Sequence, residues 1–228
     1  MFNKINIVVA STHSINEMQG YVDTLQNTCG CENEIYFIEN KEGVGLSQLY
    51  EDMTMKINDS VIVFIHDDIV ILNKGWGKEL LRMFNEHKDY GIIGVAGTKK
   101  FTDSCVWWED NKYCYGQVLH EKDGKQFLTC FSDLYNHDLE EVCVIDGVFM
   151  AIAQNRLGAG FDKNVSGFHF YDINFCLDNY LSEKCKIGVT TKIRLLHKSV
   201  GNPNQSWMMA REVAKNKYKN KLPIIIKP

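Results

Sequence analysis

Four places in the chain carry residues that could do chemistry. The first is His66-Asp67-Asp68, where an apolar run ends in two adjacent carboxylates and a second apolar run, 69–71, follows. Carboxylates at the end of a buried strand are costly unless a charge offsets them, and a divalent cation is one such offset. The other reading of this stretch is a polar turn, since Asp is a common turn former. The second place is Asp146-Gly147, which interrupts the apolar run 141–152. A charged residue inside such a run wants a partner or a purpose. The third is Asp172, preceded by Gly167-Phe168-His169-Phe170-Tyr171 and followed by Ile173, Cys176, Leu177, Tyr180 and Leu181 at helical spacing. Asp172 therefore stands at a helix start, either as the N-cap or as a general base whose ionised form the helix N-terminus favours. The fourth is His197 at the end of an apolar run, a metal ligand or a plain polar residue.

The elements that position these residues follow from hydrophobic pattern. Runs at 5–10, 34–40, 61–65 and 91–97 read as strands, the most apolar of them buried on both faces. Between them lie helical patterns: one from about Asn16, one with Leu46, Leu49, Tyr50, Met53 and Ile57, and one capped by Asn73 with Trp76, Leu80 and Phe84 inward. Alternating strand and helix implies a parallel sheet with helices on both faces. Ligands of such sheets gather at the C-terminal strand ends, where His66-Asp67-Asp68 falls. Gly43 and Gly45 do not complete a dinucleotide fingerprint, and no Walker A loop is present.

From 98 to 140 the character changes. Residues 105–108, 113–118 and 127–131 read as short aromatic strands forming an antiparallel hairpin insert. Trp107, Trp108, Tyr113 and Tyr115 fit either sugar stacking or cross-strand packing. Runs at 141–152 and 187–197 read as two more long strands. The expected organisation is one domain over 1–201, in two parts 1–97 and 98–201, with a helical, basic tail 202–228.

Composition is that of an ordinary globular protein, with 228 residues, 45% hydrophobic and 24% charged. A net charge of −4 argues against a nucleic-acid binder held by a global positive field. The eight cysteines are scattered, and Cys29-Gly30-Cys31 lacks zinc or redox spacing. That usage, with a start that reads as no signal peptide, points to a reducing cytoplasmic compartment. The tail lysines 215, 217, 219 and 221 lie beside Pro223-Ile224-Ile225-Ile226. They read as a solvated, docking helix or as a peripheral contact with the acidic inner face of a membrane.

Taken in order, the strand ending in His66-Asp67-Asp68, the segment 144–150, the segment 167–175 and the late His197 resemble a GT-A-fold glycosyltransferase. The likeness is to the family-two-like group and its small StrF-like domains, over nearly the whole chain. The resemblance implies an α/β, Rossmann-like, mostly parallel sheet flanked by helices. It implies transfer of a sugar, with inversion, from a nucleotide-diphosphate sugar (a UDP-sugar) to a carbohydrate or other hydroxyl acceptor, with Mn2+ or Mg2+. It also implies roles: Asp172 as base; Asp68 and His197 on the metal; Ala10, Ser11, Thr12, Glu39, His66 and Asp67 around the nucleotide. Asp146, Gly147, Trp107, Trp108, His169 and Tyr171 fall on the acceptor side, and the resemblance makes 1–97 the nucleotide-binding half and 98–201 the acceptor half. His66 replaces the first Asp of the family's Asp-x-Asp motif, and Asn174 stands where a further Asp is common. Two alternatives keep the fold: a nucleotide-sugar binder without turnover, and a sugar nucleotidyltransferase. The latter is expected to carry a basic, Gly-rich loop after its first strand, and Ser11-Thr12-His13-Ser14 is not one.

Overall fold

The structure is a computed structural model and describes residues 1–58, 60–132, 137–201 and 203–227. Strands β1 (Lys4–Ser11), β2 (Glu32–Glu39), β3 (Val61–Ile65), β4 (Ile69–Ile71) and β5 (Tyr90–Gly94) come with helices α1 (Ile15–Cys29), α2 (Leu46–Lys56) and α3 (Trp76–Glu86). There follow β6 (Ala96–Thr98), β7 (Lys100–Phe101), β8 (Cys114–Lys122), β9 (Lys125–Ser132), β10 (Glu140–Val142), β11 (Val144–Ile145) and β12 (Phe149–Ala153). The chain ends with α4 (Tyr171–Ser182), β13 (Lys186–Val189), β14 (Leu195–His197), α5 (Gln205–Tyr218) and β15 (Ile224–Ile225).

The main sheet has seven strands in the order β10-β13-β5-β12-β3-β1-β2. β1 pairs in parallel with β2 and β3, but β12 runs antiparallel between β3 and β5. The sheet is thus mixed where a mostly parallel one is expected. A strand buried on both faces is apolar throughout in either direction, so its pattern does not encode orientation. All five residues of β3 are completely buried. Each such aliphatic or aromatic side chain contributes about 1.5–3 kcal/mol over an exposed one.

A second, curled sheet has the order β11-β6-β8-β14-β4, with β9 paired on the hairpin partner β8. Three runs that read as single strands are divided. Residues 91–97 supply β5 to one sheet and β6 to the other, 187–197 supply β13 and β14, and 141–152 supply β10, β11 and β12. The chain crosses between sheets where they touch: Asp146 gives its N–H to the Ala96 carbonyl, and a methyl on Gly97 would meet the Val144 carbonyl oxygen at 2.3 Å. Residues 105–108 form turns rather than a strand, with Trp107 buried.

Helix starts differ from expectation where tertiary partners intervene. Ser14 and Glu17 make a capping box at α1. Asn73 does not cap α3; Gly75 holds that position at φ 77°, and the Asn73 side chain instead bonds the backbone of Lys192 and Arg194. The segment after 201 is joined to the domain. Ala214 and Tyr218 are buried, β15 pairs with β7, and Lys217 bridges Asp162 and Asp178.

Candidate functional site

Register brings the first cluster together. β14 pairs antiparallel with β4, setting His197 opposite Ile69, and the Lys198 N–H donates to the Asp68 carbonyl. His197 therefore stands beside the turn that ends β3. Its Nε2 lies 3.3 Å from Asp68 Oδ1, and His66 Nδ1 lies 4.0 Å from the same oxygen. One ligand atom from each of the three residues falls within 4.8 Å of the others. Asp68 Oδ1 is buried and accepts no hydrogen bond among the described residues. A buried carboxylate oxygen without a donor is costly, and a cation among two imidazoles and a carboxylate removes that cost. The donor set fits a divalent ion such as Mn2+. Burial alone would raise the Asp68 carboxyl; His197, Ser199 and His66 hold it down at about 2. It is ionised at any working pH.

His66, expected around the nucleotide, thus sits in one cluster with Asp68 and His197. Burial pushes its imidazole below its ordinary value, against the pull of Asp146. Its Nε2 is 2.9 Å from the Tyr171 hydroxyl, which gives its own proton to the Gly147 carbonyl at 3.0 Å. Both contacts are satisfied when His66 carries its proton on Nε2. Nδ1, facing Asp68, then holds a lone pair, the form a metal takes.

Asp172 lies one residue further along α4. It is in the first turn but is not the cap: Phe170 holds the N-cap position at φ 62°. Asp172 Oδ2 accepts the Gly147 N–H and Oδ1 the Ile173 N–H, both at 2.8 Å. Burial, then the Asp146 carboxylate, pushes its carboxyl up to about 7. Those effects outweigh the backbone donors and the helix N-terminus, so Asp172 titrates near neutrality.

Beside it opens a cleft of about 560 Å3. Asp146, Gly147, Asp172, Trp107, Trp108, His169, Tyr171, His66 and His197 line it, which brings the expected acceptor-side residues together with the candidate base Asp172. Ala10, Ser11, Thr12, Glu39, Asp67 and Asp68 are not on its wall. Ser11 and Asp67 bond each other across the ends of β1 and β3, and Glu39 accepts the Ile15 N–H at the start of α1. Ser11 and Glu39 end β1 and β2, and Asp67 lies between His66 and Asp68 in the turn after β3. Sequence reasoning missed His120 and Trp207. His120 reaches the cleft because β8 pairs in parallel with β14, His120 opposite His197. Trp207 of α5 stands 6.0 Å from Trp108 and 5.4 Å from Phe170, ring to ring.

Similar folds occur among solved structures. GalNAc-T7 with UDP, GalNAc and Mn2+ aligns at a TM-score of 0.52 and 11% identity, over 93% of this chain and 48% of that one. The mannosyltransferase PcManGT from Pyrobaculum calidifontis, in complex with GDP-Man and Mn2+, aligns at 0.50 and 8% identity, over 96% of this chain and 64% of that one. The chain thus spans about half to two thirds of the length of these two proteins. At such identities the likeness concerns the fold, an α/β GT-A-like architecture with an added curled sheet. No curated protein sequence matches significantly. No described helix is long and apolar enough to cross a membrane. The profile of the glycosyltransferase-like family matches residues 5–223, and the chain belongs to that family.

Proposed function

We propose that the protein moves a sugar from a nucleotide-diphosphate donor, a UDP-sugar, to a hydroxyl acceptor with inversion, using Mn2+ or Mg2+. The observation that carries this reading is the buried, donorless Asp68 Oδ1 facing two imidazoles, coupled through Tyr171 to the cleft that holds Asp172. Asp68, His66 and His197 would hold the cation. When bound, it supplies positive charge for the leaving diphosphate. The strand ends with Ala10, Ser11, Thr12, Glu39 and Asp67 would receive the nucleoside.

The chain's own part of the reaction centres on Asp172. Each of its oxygens already accepts one backbone N–H, which fixes the carboxylate plane. A remaining lone pair takes the proton of the acceptor hydroxyl as that oxygen attacks. Trp107, Trp108 and Trp207 wall the cleft and exclude water, so that the acceptor rather than water attacks.

Thermal stability with UDP and Mn2+, together and apart, tests binding, because a ligand of the folded state raises the melting temperature. Release of nucleoside diphosphate from a panel of nucleotide sugars tests turnover. Asp68→Ala is expected to lose the metal-dependent UDP effect. Parent-like UDP–Mn2+ binding in that variant would overturn the metal assignment. Tight UDP–Mn2+ binding with no release from any donor would favour a binder without turnover.

A further inference from the structure

The cleft carries two carboxylates, Asp146 and Asp172, and no lysine or arginine among the described residues that line it. Positions 59, 133–136, 202 and 228 contribute neither residue type. Basic groups around the cleft are engaged elsewhere. Arg211, 5.9 Å from the Trp207 ring, gives its Nε–H to the Ser104 carbonyl. Lys99 pairs with Glu140, and Lys198 lines a separate hollow with Glu121 and Asp123.

Asp146 differs from Asp172 in one respect. Its Oδ1 accepts the Val148 N–H at 2.9 Å, while no hydrogen bond among the described residues engages Oδ2. Asp146 thus lines an aromatic cleft with one carboxylate oxygen outside any hydrogen bond among the described residues. An anionic acceptor would meet like charge at Asp146 and Asp172, with no lysine or arginine on the described wall to offset it. An ammonium group would gain from both features of the wall. It would pair with Asp146, and it would lie against the aromatic faces of Trp108, Phe168 and Trp207, whose π-systems attract cations. The partial neutralisation of Asp172 by proton uptake does not meet the same need, because that proton must leave for the base to work.

We infer that the acceptor is an amine-bearing hydroxyl compound, bound as its ammonium form between Asp146 and the aromatic wall. The word acceptor rests on the glycosyltransferase reading; the charge preference of the cleft does not.

The test uses three methyl glucopyranosides that differ only at C6, which bears a hydroxyl, an ammonium or a carboxylate. Their binding to the full chain is measured by ligand-observed NMR at neutral pH, with and without UDP–Mn2+. The ammonium compound is expected to bind roughly tenfold more tightly than the neutral one, within the range of an ion pair with cation–π contact. The carboxylate compound is expected not to bind. In Asp146→Asn the ammonium and neutral compounds should converge. Equal affinities in the parent, a preference for the carboxylate, binding of none of the three, or a preference that survives in Asp146→Asn would each overturn the inference. The ranking in the parent decides by itself should the variant fail to fold. A missing UDP–Mn2+ response counts against the donor site alone, since the ranking is also read without it.

Discussion

The Tyr171 hydroxyl lies 2.9 Å from His66 Nε2, and this contact ties the candidate metal cluster to the helix that carries Asp172. Because the hydroxyl spends its only proton on the Gly147 carbonyl, it can only accept from His66. The imidazole is thereby held with Nδ1 unprotonated toward Asp68. Tyr171→Phe removes the acceptor and frees the ring to change tautomer. Loss of such an outer partner costs roughly 10–100-fold in metal affinity. Mn2+ titration followed by electron paramagnetic resonance measures this directly, without turnover. Unchanged Mn2+ affinity would leave Tyr171 as a packing residue.

Gly147 is where the backbone, Tyr171 and Asp172 converge. A methyl group there would sit 2.2 Å from the Tyr171 hydroxyl oxygen and 3.0 Å from Asp172 Cβ. Neither can withdraw freely, since Tyr171 is buried against Tyr50. Gly147→Ala should therefore cost about 1–3 kcal/mol of stability, as overpacking does. It should also weaken Mn2+ binding through displaced Tyr171. Denaturant unfolding and the same titration check both, and a parent-like result in both would show that this corner is not a fixed junction.

Truncation after Gly201 probes the tail. The polar, basic character of the tail after the last expected strand suggests that its removal leaves the sheet folded but weakens function. The structure assigns it Ala214, Tyr218 and Ile224, all buried, and the Tyr218 hydroxyl bonds Asp178 and Asn174 of α4. Deleting these contacts is expected to lower the melting temperature by roughly 10 °C or more, since each large buried side chain is worth about 3–5 kcal/mol. A truncated chain melting with the parent would show that α5 and β15 add nothing to the core.

What was legible in the sequence follows physical range. The run 61–65 and its acidic end announce themselves, because burial on both faces demands unbroken apolar residues and the carboxylates break it at once. The helix behind Asp172 is equally local. Strand direction was not legible: β12 looks the same parallel or antiparallel. Nor was the splitting of 91–97 and 187–197 between two sheets, which depends on close packing at Gly97 rather than on hydrophobicity. His120 entered the site through its register with His197, 77 positions away, and Trp207 through packing of a segment whose charge masked its apolar face. The raised carboxyl of Asp172 was not legible for the same reason. Its helix position favours the carboxylate, but burial and Asp146, both tertiary facts, outweigh it.

Asp172 gives the most discriminating prediction. With its carboxyl pushed up to about 7 by burial and then by Asp146, the base is half-protonated near neutrality. Single-turnover transfer should rise with pH through about 7 and level off above it. Asp172→Asn should lower transfer by roughly 10²-fold and erase that limb. Stability moves the other way. A carboxyl ordinarily at 3.8 and held near 7 in the folded state binds more protons folded than unfolded between those values. The parent therefore loses stability as pH rises from about 4 to about 7, on the order of a few kcal/mol. Asn has no such titration, so the stability of Asp172→Asn relative to the parent should improve across that window. The depressed Asp68 acts in a separate, lower range, gaining stability as pH rises from about 2 to about 4. Transfer rates and urea midpoints at pH 5 and pH 8 for both proteins provide the check. A relative stability that does not change with pH would mean an ordinary carboxyl. A transfer limb that persists in Asp172→Asn would mean that another group takes the proton.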